Sequence, residues 1–327
     1  MITTLKKLTV LLVAATLSTM SLAWEPKKPI TAYIGYAPGS GGELAFRAAT
    51  AEIERTTTAR FVIITLPGLA GGLSVNKSSK EPADGYSLNV TGALPTYVLN
   101  EVFDAQAITW KANDLFPVTG LGTSPFAIVT SPNNSINNVS ELVAQLRNPN
   151  KNINFGNTGG AQALLYGAIM SEAGVQSGKV QTVTYKGPGA VMTDVIGGNI
   201  DYATMPLAVA APLIDAGKLK LIGLSGNKKI AKYPNAQLVK DVLPNVPAIT
   251  AMWNITLPAN TPKEVADWYV NTFSKALDSK NVQQYFGDNY MHASDYMTPE
   301  LQRKEINALR DRMLPLARKL KIELEKQ

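Results

Sequence analysis

The stretch ITAYIGYAPGSGGELAFRA, residues 30–48, decides the fold class. Its first five residues form a short apolar run of the kind found in a buried strand, and the turn Pro38-Gly39-Ser40-Gly41-Gly42 follows. From about residue 43 to residue 55 the small and apolar residues keep helical spacing. A strand that leads through a glycine-rich turn into a helix is the repeating unit of an α/β protein with a parallel sheet.

The same alternation of strand and helix extends along the chain. Further strands are predicted at residues 61–64, 86–90, 126–129, 153–155, 180–185, 201–204 and 220–224. The pattern also predicts helices at residues 139–146, 162–172, 262–277 and 299–325, with a kink at Pro315 in the last of them. A strand at residues 253–257 is predicted to carry the chain back to its first half.

The first 23 residues have the order of parts found in a secretory signal peptide. Lys6 and Lys7 precede an apolar run, and Ser21 and Ala23 place small residues at both positions that a signal peptidase reads. The rival interpretation is a membrane anchor, but the run is short and contains Thr and Ser. We therefore predict export to the periplasm with cleavage after Ala23. The chain contains no cysteine, so it must be stable without disulfides.

Length and crossing strands predict the domain organisation. After residue 23 the chain is long enough for two lobes, each with its own core. No low-complexity linker is visible, so we predict that strands near Ser124 and Ala251 join the lobes. The first lobe is predicted to comprise residues 24–123 and 250–327, and the second lobe residues 124–249.

The residue inventory argues against most enzymes and against nucleic-acid binding. The formal net charge is +6, but the basic residues are scattered or lie on the C-terminal helix, which is typical of solvated faces. His292 is the only histidine, and without cysteine a metal cluster or thiol catalysis is not expected. Neither a metal nor a cofactor is predicted.

Three motif resemblances are incomplete. The segment around Ser225 lacks the second glycine of a nucleophile elbow, because Asn227 stands there. Leu44 occupies the third glycine position of a dinucleotide fingerprint, and no Gly-Lys-Ser/Thr tripeptide exists for a phosphate loop. Paired carboxylates that meet only in space remain open, so an enzyme stays an alternative.

Two glycine-rich turns, one in each predicted lobe, are the candidate binding elements. The first is Gly39 to Glu43 and the second Asn157 to Gln162, each between a strand and a helix. A helix N-terminus exposes unpaired backbone N–H groups and partial positive charge, which favours an anion. The alternative is that each turn merely makes a tight connection.

The sequence resembles the solute receptors of tripartite tricarboxylate transporters, the Bug family. The resemblance covers almost the whole chain after residue 23 and rests on blocks that occur in the family's order. These blocks are Trp24 to Ile30, Tyr36 to Gly39 with Arg47, Pro67 to Gly72, Pro82 to Leu88, Tyr185 to Ala190, Gly197 to Asp201, Gly217 to Leu219 and Pro258 to Pro262.

The resemblance implies a type II periplasmic binding fold, in which two α/β lobes joined by two crossing strands close on a ligand. It implies a monomeric receptor without catalytic activity that delivers a small organic anion, mostly a carboxylate, to a two-subunit membrane permease. A receptor that presents its ligand to a two-component sensor kinase is the runner-up, and a periplasmic enzyme the third alternative.

The resemblance also implies which residues contact the ligand. We carry this role to the two turns, together with Thr96 and Tyr185, whereas Arg47 is expected to form a structural ion pair. Both turns depart from the family pattern, with Ser40 and Glu43 in the first and Ala161 and Gln162 in the second. The complete predicted set is Gly39, Ser40, Gly41, Gly42, Glu43, Thr96, Asn157, Thr158, Gly159, Gly160, Ala161, Gln162 and Tyr185.

Overall fold

The structure is a computed structural model that describes residues 24–103, 106–175, 179–295 and 298–325. The predicted signal peptide, residues 1–23, and its cleavage site lie outside these residues. None of the described helices is both long enough and apolar enough to cross a bilayer.

The N-terminal elements form a parallel sheet with helices, as the first stretch of sequence predicts. They are β1 (Ile30–Ile34), α1 (Gly41–Thr56), β2 (Phe61–Thr65), a 3₁₀ turn at Leu69–Gly71, α2 (Gly72–Ser78) and β3 (Ser87–Gly92). Strand β1 pairs in parallel with β2 on one side and β3 on the other. A single turn of π-helix, Pro95–Leu99, and the short helix α3 (Asn100–Phe103) follow β3 directly.

One long strand, β4 (Leu115–Thr130), links the two halves of the sheet. The sequence pattern predicts only its end, residues 126–129, because the earlier part contains prolines and glycines. Residues 115–125 pair antiparallel with the second long strand, Thr250–Pro258, and residues 126–130 pair with strands of the other half. The strand therefore changes partners near Ser124, where a crossing is predicted.

The second half of the sheet is assembled from the middle of the chain. Its elements are α4 (Val139–Leu146), β5 (Ile153–Asn157), α5 (Ala161–Ala173), β6 (Val180–Thr184), α6 (Pro188–Gly197), β7 (Tyr202–Pro206), α7 (Leu207–Asp215), β8 (Lys220–Leu224), β9 (Gln237–Leu238) and α8 (Val239–Val242). Strand β5 pairs in parallel with β6 and β7. Helix α7 is absent from the sequence prediction because it is apolar nearly all round and contains Pro212.

The chain returns to the first half along β10 (Thr250–Pro258) and ends in helices α9 (Lys263–Leu277), α10 (Lys280–Asp288) and α11 (Pro299–Glu325). Helix α10 was not predicted; Ser279 caps it by accepting a hydrogen bond from the backbone of Val282. Over the described residues the strands form one sheet in the order β2-β1-β3-β10-β4-β7-β5-β6, with β8 pairing β4 and β9.

The segment between α10 and α11 braces the strand β4. The backbones of Thr123 and His292 exchange two hydrogen bonds of 2.8 and 2.9 Å, and Ser124 donates its hydroxyl to the carbonyl of Tyr290 at 3.2 Å. Tyr290 has a positive φ of 55°, which is uncommon for an aromatic residue. The sole histidine thus contributes backbone pairing to the fold, and its side chain is exposed.

Candidate functional site

A cleft opens where the carboxyl ends of parallel strands face each other, the usual ligand site in α/β proteins. Strand β1 leads to α1 and strand β5 leads to α5, and the N-termini of both helices border this cleft. Seven predicted site residues line it: Ser40, Gly41, Thr158, Gly159, Gly160, Ala161 and Gln162. The structure therefore brings the two glycine-rich turns together.

The first turn is held by the carboxylate of Glu43. One oxygen of Glu43 accepts a hydrogen bond from the backbone N–H of Gly39 at 2.7 Å. The other oxygen accepts from Arg47, whose guanidinium is 2.6 Å away. Glu43 is 4% exposed, so its charge is used inside the protein to fix the turn. Arg47 forms an ion pair within α1, as expected from the sequence.

Ser40 is the N-cap residue of α1, yet its hydroxyl makes no capping bond. The Ser40 Oγ atom is buried and has no hydrogen-bond partner within the described structure, although the residue lines the cleft. The first N–H groups of α1 have no acceptor inside the helix, by the geometry of any helix start. Ser40 and Gly41 line the cleft, so Ser40 Oγ and the start of α1 can offer hydrogen-bond donors to a ligand there.

The ring of Trp253 explains the two glycines that begin α1. A Cβ atom added at Gly41 would lie 2.4 Å from Cζ2 of Trp253, and one added at Gly42 would lie 2.9 Å from Cδ1 of the same ring. Both contacts are shorter than a side chain tolerates. The glycines are therefore needed for close packing against Trp253 on β10, and the indole lines the cleft beside the helix start.

The second turn repeats the bonding of the first. Gln162 Oε1 accepts from the backbone N–H of Thr158 at 2.9 Å, just as Glu43 accepts from Gly39, in both cases four residues earlier. Asn157 is fully buried, and its Oδ1 accepts from the N–H of Gly159 at 2.6 Å. Gly159 and Gly160 have φ of 85° and 60°, values that favour glycine. Both turns are thus fixed by their own side chains.

Six predicted site residues do not line the cleft. Four of them hold the turns in shape without lining the cleft: Gly39, Gly42, Glu43 and Asn157. Thr96 is buried, and its hydroxyl lies 2.8 Å from that of Thr91. Tyr185 donates its hydroxyl to Asp194 at 2.6 Å, and burial together with this bond raises the pKa of Tyr185 to about 12. Sequence spacing indicates the turns but does not separate the residues that support them from those that line the cleft.

None of the remaining lining residues was predicted as a site residue. It comprises Tyr36, Ala70, Gly92, Leu94, Pro95, Phe126, Pro188, Met205, Pro206, Val209, Thr250, Ala251, Met252 and Trp253. The Tyr36 hydroxyl accepts from the N–H of Gly92 at 3.0 Å, and burial raises the pKa of Tyr36 to about 12, so the phenol is neutral at physiological pH. The two consecutive glycines at residues 41 and 42 are the one feature of the sequence that could have indicated a bulky neighbour such as Trp253.

The cleft is uncharged and mainly apolar. Within the described parts of the chain, no Asp, Glu, Lys, Arg or His lines it. Its polar groups are hydroxyls, one side-chain amide and the backbone at two helix N-termini, which carry partial positive charge. Such a surface can hold an anionic group without a cationic side chain, while Phe126, Met205 and Trp253 offer apolar contacts.

The two sides of the cleft stand close together. A Cβ atom added at Gly160 would lie 3.1 Å from Cγ of Pro95, and one added at Gly187 would lie 3.0 Å from Cβ of Ala37. About 60 Å³ of the cleft is open to molecules the size of water. The cleft is narrow at this separation, so a ligand requires the two sides to move apart before it can enter.

The partial enzyme motif has a structural explanation. Ser225 is 1% exposed; its hydroxyl donates to the carbonyl of Ile249 and accepts from the N–H of Phe126 at 2.9 Å. The backbone of His292 pairs with Thr123 on β4, whereas the hydroxyl of Ser225 is bonded to Phe126 and Ile249, so the described structure shows no hydrogen bond between His292 and Ser225. Among the described residues no group of three or more His, Cys, Asp or Glu side chains could hold a metal ion.

Comparison with known families identifies the chain. The family model described as "Tripartite tricarboxylate transporter family receptor" matches residues 45–309. The chain belongs to this family. A Cupriavidus necator relative of this receptor, "UPF0065 protein in gbd 5'region", is 25% identical over 79% of the chain and 77% of its own length. Protein BugT of Bordetella pertussis is 22% identical over 80% of each chain.

Solved structures confirm the two-lobe periplasmic binding fold of the receptor. MatC from Rhodopseudomonas palustris, a structure with bound malate, has a TM-score of 0.81 at 18% identity and covers 90% of this chain and all of its own. R. palustris Rpa4515, solved with adipate, has a TM-score of 0.83 at 18% identity over 90% of this chain and 98% of its own. The homologues and neighbours are solute-binding proteins.

Proposed function

We propose that this receptor is exported to the periplasm, binds a small organic carboxylate as a monomer and delivers it to a two-subunit membrane permease. The observation that carries the proposal is the meeting of two helix N-termini, at Gly41 and Ala161, on one cleft without charged side chains. Membership of the transporter receptor family supports delivery to a permease. Malate and adipate in related structures support a carboxylate.

The ligand's carboxylate group binds at the helix N-termini in this proposal. The donors are the free backbone N–H groups of α1 and α5 and the hydroxyl of Ser40. Each hydrogen bond to a charged group contributes about 1.5–3 kcal/mol, so several of them can hold a carboxylate without an arginine. The 13-residue helix α5 and the 16-residue helix α1 add their dipoles to the same region.

The rest of the ligand is mainly apolar in this proposal. Trp253, Met252, Met205 and Phe126 line the part of the cleft formed by the crossing strands and β7. An additional ammonium group would meet no acidic side chain there, and its desolvation would be uncompensated. A carboxylate with an aliphatic or aromatic body therefore fits better than a small amino acid.

The lobes are proposed to move about the crossing strands. The predicted boundaries, residues 24–123 with 250–327 and residues 124–249, are supported by the change of partners along β4 near Ser124 and by its pairing with Ala251. Entry of a ligand into the narrow cleft requires such a motion. Small-angle scattering is expected to show a smaller radius of gyration when ligand is added.

The first experiment identifies the ligand by mass spectrometry of small molecules released when freshly purified receptor is denatured. Calorimetric titration then compares that compound with malate, adipate and benzoate. We expect the released compound to be a carboxylate, and we expect benzoate or adipate to bind more tightly than malate. Release of a cation or a neutral sugar, without any carboxylate binding, would overturn the proposal.

The second experiment removes one backbone donor without disturbing the fold. Ala161 is the first residue of α5, a position where proline is well tolerated, so Ala161→Pro deletes an N–H group at the cleft. We expect the affinity for the carboxylate to fall by about tenfold or more. Lys280→Pro is the matched control, since it makes the same change at the first residue of α10 away from the cleft. Unchanged affinity in Ala161→Pro would contradict main-chain recognition by α5.

A further inference from the structure

The C-terminal helix α11 contacts both predicted lobes. In its first half, Nε2 of Gln302 donates to the carbonyl of Thr119 on β4 at 3.1 Å. Arg310 donates to the carbonyl of Tyr97 at 2.9 Å. Both partners belong to the first predicted lobe. Further along the helix, Leu320 packs against α5, which belongs to the second predicted lobe. Helix α11 is therefore a connection between the lobes in addition to the strands β4 and β10.

The contact with α5 is close because Gly167 has no side chain. A Cβ atom added at Gly167 would lie 3.0 Å from Cδ1 of Leu320. Leu320 is 5% exposed, and its neighbour Lys319 donates from Nζ to the hydroxyl of Ser171 at 3.3 Å. Burying a leucine removes apolar surface from water, so this contact stabilises the arrangement in which α11 and α5 touch.

One face of α11 serves both lobes. Its buried residues recur every three or four positions, which is the spacing of a single helix face: Ile306, Leu309, Met313, Ala317 and Leu320. Pro315 lies on the exposed side of the helix. A proline removes the hydrogen bond to the carbonyl four residues earlier, and a helix that opens on its solvent side bends toward the protein. The same face can therefore follow the surface from the first lobe onto α5.

The first lobe holds α11 on both sides of its proline. Glu101 on α3 forms ion pairs with Arg310 at 2.7 Å and with Arg318 at 3.6 Å. The contacts with α5 come from Lys319 and Leu320, beyond these two arginines. We therefore expect that a separation of the lobes leaves α11 on the first lobe and breaks its contact with α5.

The helix that α11 touches also carries the second glycine-rich turn. Ala161, at the start of α5, lines the cleft, whereas Gly167 contacts α11 about two turns later. A ligand in the cleft and the end of α11 therefore hold the same helix. A contact that exists only in the closed arrangement raises the closed fraction of the free protein. The apparent affinity rises with that fraction, because less of the protein must change shape on binding.

We propose that the contact between Leu320 and Gly167 is a latch that favours the closed arrangement of the lobes and so sets how tightly the cleft retains its carboxylate. This inference rests on the lobe motion of the proposed function, and it assigns the regulation of the cleft to a contact outside it. Leu320 is a positioning residue, because it acts on the ligand only through α5.

A reversible cross-link tests the latch without any ligand. The chain contains no cysteine, so Gly167→Cys/Leu320→Cys can form a single disulfide within the chain. The change at Leu320 also removes the atom that a new Cβ at Gly167 would meet. Small-angle scattering of the ligand-free protein should give a smaller radius of gyration for the oxidised form than for the reduced form, because the reduced form alone can open.

The cross-linked variant has two results that would overturn the latch. One is failure of the disulfide to form under oxidising conditions, because the two residues would then not be neighbours. The other is an equal radius of gyration for the ligand-free oxidised and reduced forms, because the contact would then persist in every arrangement of the lobes. Adipate should lower the radius of gyration of the reduced form and leave that of the oxidised form unchanged.

Leu320→Ala measures the contribution of the latch to binding. We expect its affinity for adipate to fall by about threefold or more and its ligand-free radius of gyration to rise. Leu309→Ala is the matched control, because Leu309 is also 5% exposed and precedes Arg310, which is anchored to the first lobe. It should lower the melting temperature as Leu320→Ala does and leave the affinity unchanged. Equal adipate affinities of the two variants would contradict the regulatory role of Leu320.

The failure of this inference can be told apart from the failure of the proposed function. If the unaltered protein contracts on binding a carboxylate while oxidation of the cysteine pair changes nothing, the latch is wrong and the proposed function stands. If the unaltered protein binds no carboxylate, the proposed function is wrong. The scattering of the ligand-free oxidised and reduced forms still decides whether the latch exists.

Discussion

The indole of Trp253 lies so close to Gly41 that a Cβ atom there would be 2.4 Å from its ring atom Cζ2. Trp253 belongs to the crossing strand β10, and Gly41 begins the helix whose N-terminus borders the cleft. The strand that joins the lobes therefore also fixes the position of the proposed anion-binding helix. A change in the packing of either residue should disturb both the crossing strand and the start of the helix.

This contact predicts that Gly41→Ala destabilises the protein by about 1–3 kcal/mol, the usual cost of overpacking. Replacing the ring by a smaller side chain in Gly41→Ala/Trp253→Leu should recover part of that loss. Urea unfolding of the two single variants and the double variant measures the interaction. Strictly additive losses would show that the two residues do not contact each other in solution.

Gly187 and Ala37 give a test of cleft closure. The φ of Gly187 is −163°, which any residue adopts, so Gly187→Ala should leave the backbone unstrained. Its new methyl group would lie 3.0 Å from Cβ of Ala37 on the other side of the cleft. We expect the affinity for the identified carboxylate to fall by about fivefold or more, with little change in melting temperature.

Two companion variants complete the closure test. Gly189 lies two residues after Gly187, within α6, and a Cβ atom added there has no atom within 4 Å, so the affinity of Gly189→Ala should be unchanged. The double variant Gly187→Ala/Ala37→Gly should regain most of the lost affinity, because it restores the space. If Gly187→Ala and Gly189→Ala bind alike, the cleft does not close to the separation described here.

Glu43 is predicted to affect stability rather than ligand choice. Its carboxylate bonds Gly39 and Arg47, and it does not line the cleft. Glu43→Ala removes these bonds and should lower the free energy of unfolding by about 1.5–3 kcal/mol. The order of affinities among malate, adipate and benzoate should stay the same. A reversed order, measured by calorimetry, would mean that Glu43 contacts the ligand.

The ion pair between Glu52 and Arg55 within α1 predicts part of the acid sensitivity. Hydrogen bonds from Arg55, then from Asn281, lower the pKa of the Glu52 carboxyl. A lowered folded-state pKa stabilises the protein above the unfolded value of about 4.3, and this stabilisation is lost as the pH falls through the folded pKa. Between pH 7 and pH 3 the free energy of unfolding should therefore fall less in Glu52→Gln than in the unaltered protein.

Arg55→Met provides the independent check on this assignment. It removes the main partner of Glu52 and should flatten the same part of the pH profile. The double variant Glu52→Gln/Arg55→Met should match Glu52→Gln, because the two residues act as a pair. If the free energy of unfolding falls as steeply with pH in both single variants as in the unaltered protein, other groups cause the acid sensitivity.

The fold was largely predictable from periodicity because short apolar strands alternate with glycine-rich turns. The prediction failed where that signal is weak. Helix α7 has apolar residues on nearly every face, so it shows no helical stripe. Most of strand β4 contains prolines and glycines, which local propensity assigns to loops, although its pairing with β10 holds it extended.

The site was predictable only in part because its parts come from distant segments. The glycine-rich turns can be recognised from the local sequence alone, and they meet at the cleft. Trp253 and Met205 reach the same cleft through β10 and β7, and no local pattern links them to residues 39–43 or 157–162. The role of Glu43 depends on the direction of its side chain toward Gly39, which sequence spacing alone does not determine.

The two turns share a property that bears on how such a receptor changes over evolution. The N–H groups at the starts of α1 and α5 belong to the main chain, so most point mutations leave them in place. The side chains that line the rest of the cleft can be replaced one at a time. A lineage can therefore acquire new preferences for the carbon skeleton of its nutrient while it retains affinity for the acid group, without passing through a form that binds nothing.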